Sequence, residues 1–483
     1  MKIAFRVDSA DSIGAGHIRR CLKLAEDLKN KSKKIYFITK NLSGNFNKLI
    51  DKKKFKVILI KNLSSDWKST KLICKKFKIN ILIVDHYQLG INWEKKIKKN
   101  VDKLVVVDDF SKKKHHCDLI INNFNKKKND NTKHYTGLEY IIIPSQVLPK
   151  KIKNKKKRKF IKIGTFFGSS DNNNVTEKFL KIFANKEFDN FKFISILGKN
   201  NINKEKIKID FKKYKNLNLV KSFKNIENFF EQIDILISPG SVISYEALCN
   251  NIKCINVPLN FYQKMSSNFQ QKNKIANTLS PKKIFKKDGK KILINLLKKE
   301  SKRNNFLGKT LYLDAFGSKR IAEILIPSSF TQTSFKKAQN LTDCKDLFKL
   351  RNEKETIKNS FIQKKESFEN HLEWFRKKTY SKNSYIYVFR TNNLCVGQVR
   401  IDIIKKNIGL IDYSLNKVFR GRGWGKLMLS QAMNRIKRLK NIHHFQAKVK
   451  KTNFKSIKIF KNLFFLEKNR KKYLEFNKSI EAN

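Results

Sequence analysis

The sequence predicts an α/β protein of two doubly wound lobes followed by a smaller α+β domain. Three observations carry this. Short β-branched runs alternate with amphipathic stretches over residues 1–149, and the same alternation restarts after a lysine-rich run at 150–159. Beyond a polar connector at 326–333 the pattern changes to helices followed by consecutive strands. Strand–helix–strand alternation gives a parallel sheet covered on both faces, whereas consecutive strands pair antiparallel. A length of 483 residues allows about three compact units. The domain boundaries read as 1–149, 158–326 and 335–480.

In the first lobe the strands fall at 3–7, 34–39, 56–60, 81–84, 103–107 and 119–122, each a short run rich in Ile, Val and Leu. Between the first two, residues 18–28 repeat apolar side chains at helical spacing. The opening segment, Met1 to Asp8, meets an acid and a glycine-rich turn too early for a secretory signal and reads as the first strand. The run at 150–159 is almost wholly basic, so it repels itself and stays exposed as a linker. Strands of the second lobe fall at 160–167, 192–197, 217–220, 233–238 and 253–257. Two such lobes joined by a linker predict a ligand cleft between them, at the carboxyl ends of the strands. In the last block, 347–359 and 368–377 read as helices and 385–390, 394–402 and 407–415 as antiparallel strands. A glycine-rich turn then opens a helix at 425–439.

An apolar share of 40% is enough to bury real cores. No run of roughly twenty apolar residues exists to span a bilayer, so no membrane partner is expected. The 7 cysteines (Cys21, Cys74, Cys117, Cys249, Cys254, Cys344 and Cys395) form an odd set without CxxC spacing, which fits reduced thiols rather than a disulfide framework. His115, His116 and Cys117 are the one dense donor cluster, but neighbours on a strand point to opposite faces, so no metal is expected. A formal charge of +68 invites a nucleic-acid reading. The positive residues are mostly Lys, spread through every segment, without the clustered Arg and neighbouring aromatics of base readers. A solvated lysine-rich surface is the better reading, and no nucleic-acid partner is expected. That charge still concentrates polyanionic ligands near the protein. The sequence leaves the oligomeric state open.

The stretch Arg6-Val7-Asp8 … Ile13-Gly14-Ala15-Gly16-His17-Ile18-Arg19-Arg20 ends the first strand, turns on two glycines and enters a helix at His17. Backbone N–H groups and the helix dipole there favour an anion such as a diphosphate. The same positive end favours a neutral imidazole at His17, able to take a proton from water. Arg-x-Asp followed by Ile-Gly-x-Gly-His-x-x-Arg resembles the start of the UDP-2,4-diacetamido-2,4,6-trideoxy-β-L-altropyranose hydrolases of pseudaminic acid biosynthesis. Those hydrolases in turn resemble the bilobed GT-B-type glycosyltransferases. The likeness continues in order through Val84-Asp85-His86-Tyr87, Asp108-Asp109 and His116-Cys117-Asp118-Leu119. In the second lobe it covers Phe167-Gly168-Ser169-Ser170-Asp171 and Ser238-Pro239-Gly240 … Tyr245-Glu246, within the first 325 residues.

The resemblance implies two GT-B-like, Rossmann-like lobes and inverting cleavage of the C1–O bond of a UDP-sugar by water, without a metal. It makes His17 the catalytic base and Tyr87 an active-site residue. Arg6, Asp8, Gly14, Gly16, Arg20 and Asp85 are then expected beside the substrate. Gly240, Ser241 and Glu246 are expected at the uridine nucleotide, where a carboxylate accepts from both ribose hydroxyls. For Asp85 and Tyr87 a strand-end structural pair is the competing reading, and Cys21 reads as core. The chain departs from the family pattern at Ser169, where a second glycine is expected. It departs again at Asn260-Phe261-Tyr262-Gln263, where the family has an Asn-Gln pair.

Arg420-Gly421-Arg422-Gly423-Trp424-Gly425 follows a strand and opens a helix, so several backbone N–H groups face one point. Arg420 and Arg422 add charge-assisted contacts for phosphate there. The hexapeptide fits Arg-x-x-Gly-x-Gly and resembles the pyrophosphate loop of the GNAT superfamily of N-acetyltransferases. That resemblance implies acetyl-CoA as cosubstrate, held by Arg420, Arg422, Gly423 and Gly425, with Asn453 of the later Asn-x-x-Ser helix touching its pantetheine or phosphates. Phe460 replaces a tyrosine that often protonates the leaving thiolate, and Phe464 replaces a glycine. Leu410 stands where many relatives carry a glutamate base. Asp412, on the same strand face, either deprotonates the amine or is a solvated strand residue. Leu350-Arg351-Asn352 and His371-Leu372-Glu373-Trp374-Phe375 resemble the subgroup acting on amino sugars, and Trp374 and Phe375 either stack on sugar or pack under the sheet.

Together the halves predict a cytoplasmic bifunctional enzyme of pseudaminic acid synthesis. The acetyltransferase acetylates the 4-amino group of a UDP-amino sugar, and the hydrolase releases UDP from the diacetamido product. One rival is a GT-B-type glycosyltransferase fused to a sugar or protein N-acetyltransferase. Another is a basic nucleic-acid binder carrying a protein acetyltransferase.

Overall fold

The computed structural model describes residues 1–10, 13–60, 65–109, 114–122, 132–144, 160–198, 200–221, 226–303, 310–404, 408–440 and 442–480. The basic linker at 150–159 and the expected strand start at Asn407 lie outside the described residues. The chain divides into two compact bodies, Met1–Ala322 and Glu323–Asn483.

The first lobe of the first body runs β1 (Lys2–Val7), α1 (Gly16–Lys29), β2 (Lys34–Lys40), α2 (Asn47–Lys52), β3 (Lys56–Ile60), α3 (Asp66–Phe77), β4 (Ile81–Asp85), α4 (Ile91–Lys98), β5 (Lys103–Val107), β6 (Leu119–Asn122) and β7 (Lys133–Thr136). Its sheet is parallel, in the order β3-β2-β1-β4-β5-β6-β7. Both faces are covered, which is why Ile3, Ala4, Phe5 and Leu82, Ile83 are sealed without polar alternation. After β1 the chain moves one way along the sheet, and after β4 it moves the other way. The loops therefore diverge at the carboxyl ends of β1 and β4 and leave a crevice there. Val7 pairs with Asp85 at that point, so the segments after both strands start side by side. β7 was not expected, because Lys133-His134-Tyr135-Thr136 carries almost no apolar signal.

The second lobe repeats the plan with β8 (Ile161–Thr165), α5 (Val175–Phe183), β9 (Phe191–Ile196), α6 (Lys204–Phe211), β10 (Leu217–Val220), α7 (Ile226–Gln232), β11 (Ile235–Ser238), α8 (Val242–Cys249), β12 (Lys253–Asn256), α9 (Phe261–Lys272), β13 (Asn277–Thr278), α10 (Pro281–Ile284) and α11 (Gly289–Lys302). The order is β10-β9-β8-β11-β12-β13, again parallel, so the switch point lies between β8 and β11. Phenylalanines fill one side of this sheet: Phe179, Phe183, Phe188 and Phe193 are sealed, and Phe183 stacks on Phe193. The next helix, α12 (Gly317–Leu325), returns to the first lobe. The Arg320 guanidinium donates to the Glu139 carbonyl at 2.9 Å, and the Ser318 hydroxyl donates to Asp27 of α1.

The second body has β14 (Thr333–Lys337), α13 (Leu341–Arg351), α14 (Lys354–Asn359), α15 (Phe368–Tyr380), β15 (Ser384–Thr391), β16 (Leu394–Ile404), β17 (Ile408–Leu415), α16 (Trp424–Lys440), β18 (His444–Val449), α17 (Phe454–Asn462), β19 (Leu466–Asn469) and β20 (Leu474–Ser479). Its sheet runs β14-β15-β16-β17-β18-β20-β19, antiparallel except for the parallel pair β17–β18. That parallel ladder joins 408–411 to 444–447 and stops, although β17 continues to Leu415 against β16. A fork therefore opens between β17 and β18 beyond Ile411. Among the described residues of both bodies, no helix is long and apolar enough to cross a membrane.

Candidate active sites

The first site forms at the switch point of the first lobe. His17 and Arg20 are three apart on α1 and so share the helix face that meets the end of β4. The His17 Nδ1 lies 2.6 Å from Asp85 Oδ1. Arg20 donates through Nε to Asp85 Oδ2 and through Nη2 to Oδ1, both at 2.5 Å, and through Nη1 to Asp109. Cys21 donates its thiol to Asp85 from one helical position further on. Burial alone raises a carboxyl, but the charges and hydrogen bonds of Arg20 and His17 outweigh it and hold Asp85 well below the usual carboxylate range. An ionised Asp85 accepts only, so in that contact His17 donates from Nδ1, and Nε2 is the ring nitrogen that Asp85 does not engage. The sequence points to a helix terminus as the group acting on His17, whereas in the structure a buried carboxylate orients the ring.

Arg6 and Asp8 sit one layer deeper. The fully buried Arg6 guanidinium donates to both oxygens of Asp8 at 2.6 and 2.8 Å, and to Asp66. Asp8 also accepts from the Lys40 backbone N–H and lies 3.0 Å from His86 Nε2. Burial opposes ionisation of Asp8, but His86 and Arg6 outweigh it and keep the carboxylate charged. Arg6, Asp8 and Asp85 were expected to touch the substrate. Their side chains are buried, with Arg6 and Asp8 engaged with each other and Asp85 with His17 and Arg20, and they brace the carboxyl ends of β1 and β4. Arg20 is committed to two carboxylates and keeps a small exposed margin. By contrast, among the described residues a Cβ placed on Gly14 or Gly16 would meet no atom within 4 Å, which leaves space beside the backbone of that turn.

Tyr87, on the loop after β4, sets its ring edge-on to His17 with centroids 4.5 Å apart. From the second lobe, Tyr262 in the first turn of α9 stacks on Tyr87 at 4.8 Å and 10°. The two lobes thus meet over His17 through an aromatic pair. Burial keeps the Tyr87 phenol protonated by pushing it far above its ordinary range, with Asp109 adding to the effect. Residues 260–263, expected to blur an Asn-Gln contact, cap α9 instead: Asn260 accepts from the Gln263 N–H, and Gln263 accepts from the Leu259 N–H.

Gly240 and Ser241 join β11 to α8 at the second switch point. Gly240 has φ +78°, and a Cβ there would lie 2.1 Å from Ser267 Oγ, so glycine is required on both counts. Below this turn, Gln270 donates to Ser244 and Ser266 and accepts from Asn256, a buried amide network that fixes the loop. Ser241 starts α8, and Glu246 lies half-buried on the same helix. Across the sheet, the Asp171 carboxylate caps α5 by accepting from the Val175 and Thr176 N–H groups, both at 2.9 Å. Ser169, where a glycine was expected, keeps close backbone packing because its partner is Gly198, whose added Cβ would lie 2.1 Å from the Ser169 carbonyl.

In the second body, residues 420–425 turn from β17 into α16. Gly421 and Gly423 have φ of +76° and +80°, and a Cβ on Gly425 would press on Ile459 of α17 at 2.8 Å. The backbone has the conformation expected of a glycine-rich turn, and both arginines hydrogen-bond to neighbouring carboxylates. Arg420 donates to Glu353, to Glu355 at 2.7 Å and to the Leu415 carbonyl at 2.9 Å. Arg422 donates to the buried Glu323 at 3.2 Å. Both guanidiniums hold the loop in place through these contacts. Asn453 is likewise engaged, since its side chain caps α17 by accepting from the Ser456 N–H. Asp412 faces solvent with a side chain 54% exposed, and Gln398 donates to it at 3.0 Å. Phe375 is core, whereas Trp374 is half-buried with the Arg400 guanidinium over its ring at 5.6 Å. Arg351 and Asn352 hydrogen-bond the backbone of 362–366 and so staple that loop.

Over 261 residues the chain is 30% identical to the UDP-2,4-diacetamido-2,4,6-trideoxy-β-L-altropyranose hydrolase of Campylobacter jejuni, a match covering 51% of this chain and 88% of that one. The chain belongs to this hydrolase family. Its C-terminal body matches the acetyltransferase (GNAT) domain family over residues 336–465. An uncharacterized protein of Methanocaldococcus jannaschii is 25% identical over 495 aligned positions, 96% of each chain. Among solved structures, MurG of Acinetobacter baumannii superposes on 68% of this chain and 99% of its own, with a TM-score of 0.52 and 11% identity. That likeness shows the fold, a GT-B arrangement of two lobes. The protein therefore joins a body of the hydrolase family to a GNAT acetyltransferase domain, and both are enzyme bodies.

Sequence reading missed four features of this hydrolase-family chain. Tyr262 was hidden in a segment that departs from the family pattern. The Glu353 and Glu355 partners of Arg420 were inside a stretch read as continuous helix. Tyr413, beside Asp412, was passed over. His115 was weighed only as a metal ligand, yet it bridges Glu94 at 2.6 Å and Asp108 at 3.1 Å. An acid within reach of each ring nitrogen leaves that imidazole no lone pair for a metal.

Proposed function

We propose that the chain hydrolyses UDP-2,4-diacetamido-2,4,6-trideoxy-β-L-altropyranose to UDP and free sugar, and N-acetylates the UDP-4-amino precursor with acetyl-CoA. The observation that carries the first half is His17 poised on buried, ionised Asp85 beside an open glycine turn. Water donates its proton to His17 Nε2 as its oxygen bonds to C1, the C1–O bond breaks on the opposite side, and the electron pair leaves with UDP. Asp85 stabilises the imidazolium that forms. Tyr87 and Tyr262 flank the reacting ring, and Arg20 presents the edge of its charge. The N–H groups of the turn bearing Gly14 and Gly16 meet phosphate, while Gly240, Ser241 and Glu246 hold the uridine end. Arg6, Asp8 and Asp85 act as positioning residues.

In the acetyltransferase, the backbone of Gly423 and Gly425 at the start of α16 takes the acetyl-CoA pyrophosphate, with Asn453 near the pantetheine. Asp412 takes the proton of the acceptor amine. We assign domains to 1–149, 158–326 and 335–480, and a cytoplasmic place to an enzyme whose substrates are nucleotide sugars and acetyl-CoA. The polar connector at 326–333 tethers the two activities on one chain, which raises the local concentration of each product at the next site.

The test is a coupled assay of the full chain with acetyl-CoA and a UDP-4-amino-4,6-dideoxy-N-acetylaltrosamine, read by mass spectrometry. The expected sequence is a diacetamido UDP-sugar, then UDP with free sugar. Acetylation without UDP release in the absence of any sugar acceptor would point to a glycosyltransferase instead.

A further inference from the structure

Phe460, on α17, cannot give a proton to a departing thiolate, and it is plain core: 2% exposed and stacked on Phe476. A hydroxyl nevertheless stands beside it. Tyr413 of β17 packs edge-on against Phe460 with centroids 6.0 Å apart. Its hydroxyl lies 2.8 Å from Ser456 Oγ in the first turn of α17. Ser456 and Phe460 are one turn apart on the same helix face, so Tyr413 brings a phenol to the side where Phe460 has none. The Tyr413 ring also borders the other helix start, because a Cβ on Gly425 would lie 3.7 Å from its Cε2. It therefore sits between the first turns of α16 and α17.

Tyr413 also lies within the fork. The β17–β18 ladder ends at Ile411 and Ala447, so residues 412–415 offer their outer edge to a ligand rather than to β18. Asp412 and Tyr413 are adjacent on that edge and point to opposite faces of the sheet. A thioester lying along the edge has a carboxylate on one side and a phenol on the other. Burial pushes the Tyr413 phenol up to about 12, so it carries its proton at neutral pH.

We propose that Tyr413 is the proton donor to the leaving coenzyme A thiolate. This rests on the acetyltransferase reading above and gives it the acid it lacks. The amine nitrogen attacks the thioester carbonyl carbon while Asp412 removes its proton. The tetrahedral intermediate re-forms the carbonyl and breaks the C–S bond, and the electron pair goes to sulfur. Sulfur takes the Tyr413 proton, giving free coenzyme A. Half-buried Ser456 passes a proton from solvent back to the phenolate, and Asp412 returns its proton to solvent.

The test is Tyr413→Phe in the full chain, with acetyl transfer to the UDP-amino sugar followed beside coenzyme A binding by calorimetry. With acetyl-CoA, kcat is expected to fall about 100-fold. The KM for acetyl-CoA, the coenzyme A affinity and UDP release should stay within about twofold of wild type. With S-acetyl-4-nitrothiophenol, whose thiolate needs no proton to leave, the defect should shrink to a few-fold. An unchanged kcat, or an equal loss with both donors, overturns the role. A trifluorinated tyrosine at 413 asks the same question if the Phe variant fails to fold: its more acidic phenol must move the alkaline limb of the kcat profile to lower pH, and an unmoved limb counts against Tyr413. Wild-type chain that transfers no acetyl group to any amine overturns the acetyltransferase reading itself.

Discussion

Asp85 accepts from His17, twice from Arg20 and once from Cys21, and it does so with its side chain out of reach of solvent. All four of those hydrogen bonds come from one face of α1, so a single helix supplies both the imidazole and the guanidinium that meet this carboxylate. The sequence offered His17 as a base and Arg20 and Asp85 as substrate contacts, with a strand-end structural role as the competing reading of Asp85. Their mutual engagement was invisible, because 65 residues separate the partners and no local pattern encodes which oxygen meets which nitrogen. His115 shows the same blindness. Burial disfavours its imidazolium, but hydrogen bonds to Asp108 and Glu94, and their charges, outweigh burial and raise it to about 9 from 6.5. A raised folded-state value means that stabilisation is complete below about pH 6.5 and is lost as pH climbs through 9. His115→Gln has no such titration. The difference in unfolding midpoint between wild type and this variant should therefore be large at pH 6 and shrink by pH 9.5. A gap that stays constant over that range would show that the imidazole is neutral throughout.

At the level of elements, hydrophobic periodicity located nearly every strand of the two parallel sheets, because strands buried on both faces are continuous apolar runs. It did less well where burial is partial. The helix expected at 347–359 is two helices, α13 and α14. Asn352 spends its side chain on the backbone of Glu366, and Glu353 takes an extended conformation. The start of α13 lies six residues earlier than expected, at a capping box of Asn340 and Asp343 that the sequence does display. The glycine turns were legible as motifs, and the structure adds what each excludes. Gly240→Ala meets Ser267 Oγ and a left-handed φ, so KM for the UDP-sugar should rise while acetyl transfer is untouched. Gly423→Val is strained in the same way and faces the Phe330 ring 3.2 Å from its Cβ, so KM for acetyl-CoA should rise roughly tenfold or more with hydrolysis intact. Kinetics of both variants on both reactions check the pair. A change in the opposite reaction would mean that the turns serve stability rather than binding.

On the scale of the whole molecule, two bodies of unrelated architecture share one chain, and each completes its own candidate site from its own residues. The first places His17 in one lobe and the Gly240 turn in the other, with Tyr87 and Tyr262 meeting where the lobes face each other. Composition bounded this organisation without specifying it. The overall charge pointed towards nucleic acid, and local motifs outweighed it. The most direct measurement is UDP-sugar hydrolysis in ¹⁸O-labelled water by wild type and by His17→Asn, with acetyl transfer assayed on the same preparations. Wild type should place the label at C1 of the released sugar with inverted configuration. His17→Asn should lose UDP release by about three orders of magnitude or more while acetylating at the wild-type rate. Label found in UDP rather than the sugar, or a His17→Asn chain that still hydrolyses, would contradict a His17-activated water attacking the anomeric carbon.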